Sequence, residues 1–137
     1  DFIIAGGGAE PERWAGKRMK FEKLNTSAPV GDVSSGASAG GSVFMVKKET
    51  GQLLEMYPDG KVKLMDTVFP GDVISGAGDG VEGVFVNSKG DLLMVPSLKK
   101  FHISEAESSP NHAFAFRGIY AVISGRGVFV YMRKEVQ

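Results

Sequence analysis

One phrase occurs twice in this chain. Gly-Asp-Val-Ser-Ser-Gly-Ala begins at Gly31, and Gly-Asp-Val-Ile-Ser-Gly-Ala begins at Gly71. The residues that follow stay in step, which marks a repeat with a period of about forty residues. Each copy reads as a strand (43–46; 84–87), a turn ending in Gly51 or Gly90, and a second strand (53–56; 92–95). A third, lysine-bearing strand follows (61–65; 99–104), and the GDV segment itself reads as a short fourth strand or a connecting turn. A repeat of this kind cannot bury its apolar face alone, so the copies must pack on one another.

A third copy begins near Asn111, with strands at 119–123 and 128–132 around Gly127, and stops before its lysine-bearing strand. At the other end, GKRMKFEKL (16–24) stands just before the first GDV, where GKVKLM (60–65) stands before the second. The expectation is that the two ends pair, with residues near Phe21 bonded to those near Phe129. The chain is then a single all-β domain, 1–137, with repeats 31–70, 71–110 and 111–137, the last completed by 14–30, and an N-terminal arm, 1–13. A β-prism-like arrangement is expected; the alternatives are a β-trefoil and a propeller segment completed by oligomerisation.

Composition agrees with strands. Nineteen glycines are unfavourable in helices, at about 1 kcal/mol each relative to Ala. The one helical candidate is EPERWAGK, 10–17, a turn or two after Pro11. KVKLM and KFHIS alternate apolar and polar residues, as a half-wet edge strand does, whereas LLEM and LLMV are apolar nearly throughout and should lie deeper. Phe114 and Phe116 alternate and are expected to face the core together. The stretch GAGDGVEGVFVNSKGDLLMV, Gly76 to Val95, resembles one blade of a tachylectin-type propeller. The resemblance spans one copy and lacks the tryptophans of that family. It implies more blades than one chain supplies, and hence an oligomer.

Several function classes are disfavoured. Lys plus Arg and Asp plus Glu number 16 each, so no net field draws in nucleic acid. There is no cysteine to form a disulfide or bind a metal, and no apolar run has the length of a membrane span. The start, DFIIAGGGAE, lacks the basic opening of a signal peptide and reads as a processed or trimmed terminus. Gly78-Asp79-Gly80-Val81-Glu82-Gly83 spells GxGxxG, but a dinucleotide cradle needs a helix after the last glycine, and VFVNSKG reads as a strand. Asp32 and Asp72 recur and are expected to cap turns; Asn25-Thr26-Ser27 matches a glycosylation acceptor. His102 and His112 belong to no metal-spaced cluster, so no cofactor, metal or catalytic residue is expected.

What remains is a non-enzymatic structural or protein-binding subunit, with a protein partner or a homo-oligomer expected. The alternative is a lectin-like carbohydrate-binding module. Trp14, Tyr57, Asp79 and Tyr120 are the candidate contacts to a ligand or partner. Sugar sites repeated three times would carry the same groups in each copy, yet Asp79 has Ala39 as its counterpart.

Overall fold

The computed structural model describes residues 3–5, 12–17, 20–24, 33–71, 74–107 and 110–133, the first three stretches by their backbone alone. The fold is all-β and antiparallel. An N-terminal sheet holds β1 (Ile3–Ala5), β2 (Glu12–Lys17) and β3 (Lys20–Leu24). Next comes a four-stranded meander of β4 (Val33–Ala39), β5 (Ser42–Lys47), β6 (Gln52–Met56) and β7 (Val62–Val68). A second meander holds β8 (Ser75–Gly78), β9 (Gly83–Val86), β10 (Asp91–Val95) and β11 (Lys100–His102). The last sheet has three strands, β12 (His112–Phe116), β13 (Ile119–Ser124) and β14 (Gly127–Met132).

The β4–β7, β8–β11 and β12–β14 sheets are layered on one another. Phe44, Val46 and Leu53 of the first meet Phe85, Leu93 and Val95 of the second in one core cluster. On the opposite face of the second, Val84, Val86, Leu92 and Met94 meet Tyr120 and Val122 of the third. The middle sheet is therefore buried on both sides, which is why VFV and LLMV carry no polar alternation. Each fully buried Phe, Leu or Val contributes about 1.5–3 kcal/mol. The lysine-bearing strands β7 and β11 are the exposed edges of their sheets.

The first strands lie side by side, β4 against β8 and β8 against β12. Close approach here demands small residues. A Cβ on Gly76 would sit 2.8 Å from the Gly36 carbonyl oxygen, and one on Gly78 would collide with the Ser38 backbone. Tight hairpins lead out of two of these strands. Gly40 and Gly41 turn β4 into β5 with positive φ at both, and Arg117 and Gly118 do the same between β12 and β13.

Three sequence expectations need correction. Phe21 is paired with Gly16 and Phe129 with Val122, so among the described residues β3 and β14 form no ladder and no barrel closes. A local hairpin costs far less closure entropy than joining the two chain ends. Residues 12–17, within the expected helix, form β2, whose backbone is paired on both sides; so short a helix is marginal in water. Of the two readings of the GDV segments, strand or connecting turn, their SGA parts take the first, in β4 and β8. Finally, Phe114 and Phe116 share a face, but it is the solvent face. Asp32, Asp72 and Asn25 lie outside the described residues.

Candidate functional site

The GxGxxG string is where the three layered sheets are joined. β8 ends at Gly78 and β9 begins at Gly83, so a strand follows the last glycine and the four residues between make a loop. Every backbone N–H of that loop donates within the protein. Asp79 donates to the Glu82 carbonyl (3.0 Å) and Gly80 to the Ser38 carbonyl (3.1 Å). Val81 and Glu82 both donate to Asp79 Oδ1 at 2.9 Å. Carbonyls of the loop in turn accept from Gly40 and Gly41 at the tip of the first hairpin. With its donors committed, the loop has none directed at a phosphate.

Asp79 ties the loop to the third sheet. Its Oδ2 accepts from the Gly118 N–H (2.6 Å), the Tyr120 hydroxyl (2.9 Å) and Arg133 Nη1 (3.3 Å). Its side chain is only 4% exposed. Burial alone would raise the carboxyl pKa. Hydrogen bonds from the Glu82, Val81 and Gly118 backbone and the Tyr120 hydroxyl outweigh it and hold the group well below the usual carboxylate range. Tyr120 shifts the other way: burial, then its bond to Asp79, pushes the phenol above its ordinary value. Arg133 also donates to the Tyr120 oxygen at 3.1 Å, completing a triad.

Of the four candidate contacts, the structure brings Asp79 and Tyr120 together. Tyr57 follows β6 in another sheet, its hydroxyl donating to Glu55 at 3.3 Å. Trp14 sits in β2, paired with Ile3 and Lys23, and its side chain lies outside the description. His102 is exposed and held between Glu107 (2.6 Å) and Asp91 (2.8 Å). Bonds to those two carboxylates raise its pKa. Among the described residues no cluster of three or more His, Cys, Asp or Glu could hold a metal ion. No helix there is long and apolar enough to cross a membrane.

Sequence reasoning passed over two features. Gly36-Ala37-Ser38-Ala39-Gly40 matches GxSxG. The nucleophile elbow of that motif sits on a strand-to-helix turn; here Ser38 lies within β4, opposite Val43, and the chain turns into another strand. The second feature is the outer face of the last sheet. Cross-strand register lays it out as three rows: Phe116–Ile119–Met132, Phe114–Ala121–Val130 and His112–Ile123–Val128. Its seven large apolar side chains are between 44% and 66% exposed. The inner face carries Ala113 and Ala115 instead, because β12 runs so close to β8 that the Ala113 N–H donates to Ser75 Oγ at 3.0 Å. Small residues fill the inside of β12, and the phenylalanines are left outside.

Between the second sheet and strands β13 and β14 of the third lies an apolar cleft of about 230 Å³. Leu92, Met94 and Phe101 line one wall, and Val122, Phe129 and Tyr131 the other. No protein-family model matches this chain, and no curated protein is a significant relative.

Proposed function

We propose that this chain is a non-enzymatic scaffold subunit that binds protein through the outer face of β12–β14. The observation that carries the reading is the unbroken apolar grid on that face, from Phe116 to Val128, exposed to solvent. A monomeric soluble protein rarely shows a contiguous apolar patch beyond a few hundred Å², and larger ones mark interaction sites. Sheet layering in repeated meanders supplies the rigid support. The Asp79–Tyr120–Arg133 triad fixes the inner side of the same sheet, which holds the outer side in one shape.

The lectin-like reading draws less support. Its polar candidates, Asp79 and Tyr120, spend their hydrogen bonds on each other and on the backbone. Phe116→Asp and Val130→Asp are expected to weaken partner binding by tenfold or more, as loss of a central apolar anchor does, while leaving the urea midpoint near wild type. Isothermal titration with a co-purifying partner measures this, and a glycan array checks the alternative. Unchanged affinity in both variants, or saturable sugar binding lost on Trp14→Ala, would overturn the reading.

A further inference from the structure

We infer that the occupant of the β12–β14 face is a second copy of this chain, its last sheet laid on the same sheet of the first across a two-fold axis. The inference rests on the protein-binding reading above and names the partner.

Four observations lead to it. The face is nearly free of charge: its nine positions are apolar except His112 at one corner, and the Arg117 guanidinium lies over the Phe116 ring, 5.4 Å from its centre, at another. A partner must therefore match it with apolar surface of similar extent. An isologous contact does so with the same patch on both sides. The chain has no net charge, with 16 basic and 16 acidic residues, so two copies meet without overall repulsion.

The extent fits as well. Seven side chains, each with about half its surface free, present on the order of 800 Å². That is about what one partner contributes to a stable interface of standard size. Ala121 at the centre of the grid, between Phe114 and Val130, leaves a hollow. A ring from the opposite copy can enter it.

The fourth observation excludes a simple continuation of the layering. Where β4 and β8 lie together, the approach runs over Gly36, Ser38, Gly76 and Gly78. Where β8 meets β12 it runs over Ser75 and Ala113. The outer side of β12 carries Phe114 and Phe116 at the equivalent points. Another first strand cannot come as close there. Two sheets packed face to face at about 10 Å can accommodate the rings.

The test is sedimentation velocity on the full chain up to about 100 µM, above the weak end of affinities for an interface of this size. The wild type is expected to sediment as a dimer. Phe116→Asp and Val130→Asp are expected to shift it to monomer, with an unchanged circular dichroism spectrum. A wild-type monomer throughout that range, or a dimer untouched by both substitutions, overturns the inference. If the monomer still binds a different protein and loses it on Phe116→Asp, self-association fails while the protein-binding reading stands. If neither property responds, both fail.

Discussion

Asp79→Ala lowers stability by about 3–5 kcal/mol, the range seen when one partner of a buried ion pair is removed. The single carboxylate accepts from Val81, Glu82, Gly118, Tyr120 and Arg133. Its loss leaves the Arg133 guanidinium without its carboxylate and three backbone donors without an acceptor. A domain of this size has about 5–15 kcal/mol to lose, so the variant sits close to unfolding. Asp79→Asn is milder, at about 2–3 kcal/mol, because the amide keeps the shape but faces donors with a donor.

Urea titration across pH separates the charge from the packing. The folded-state pKa of Asp79 is depressed. Its contribution is therefore fully present above the unfolded value, about 3.9, and is lost as pH falls through the folded value. Wild type is expected to weaken steadily below about pH 4. Asp79→Asn lacks that part of the slope, so the gap between the two proteins narrows from pH 5 to pH 2. A constant gap would show that the carboxylate charge does not act in the folded state.

Gly78→Ala is expected to cost about 3 kcal/mol or more, at or above the top of the usual range for overpacking. The added methyl group would run into the Ser38 carbonyl, which is backbone and cannot swing aside. β4 must then part from β8, and the hydrogen bond from Gly80 to Ser38 parts with them. Gly127→Ala is the control: its new Cβ would have nothing nearer than a Phe129 ring atom at 3.8 Å, so a change within about 0.5 kcal/mol is expected, as at an ordinary surface site. Thermal melts of the two variants, side by side, give the comparison.

Much of the layering is legible in the sequence, for a physical reason. VFV and LLMV lack polar alternation because they belong to a sheet covered on both faces, and Lys63 and Lys100 mark the edges. The SGAG of β8 left strand and turn both open, since glycine has poor β propensity; contact with β4 makes it a strand. The partners of Asp79 lie 39, 41 and 54 residues away, and no local spacing announces contacts of that range. The apolar grid leaves a signal in the sequence, but its direction is not legible there. HAFAF, IYAVIS and GVFVYM are apolar at successive positions, so both faces of their sheet avoid water, while the core needs only one of them. Ala113 and Ala115 fill that role, and the larger residues mark the face turned outward.

Thiol labelling of single-cysteine variants bears most directly on the central claim, that the last sheet turns one face into the layered core and the other to a partner. The parent has no cysteine, so each variant reports its own position. Cysteine at 114, 116, 128 or 130 is expected to react with a thiol reagent as fast in dilute native protein as in urea, and to become protected when the face is occupied. Cysteine at 122, a buried position, is expected to react only on unfolding, and cysteine at 113 or 115, which are partly buried, far more slowly than at 114 or 116. Rapid labelling of the second set with protection of the first in dilute protein, or no alternation along β12, would contradict the account.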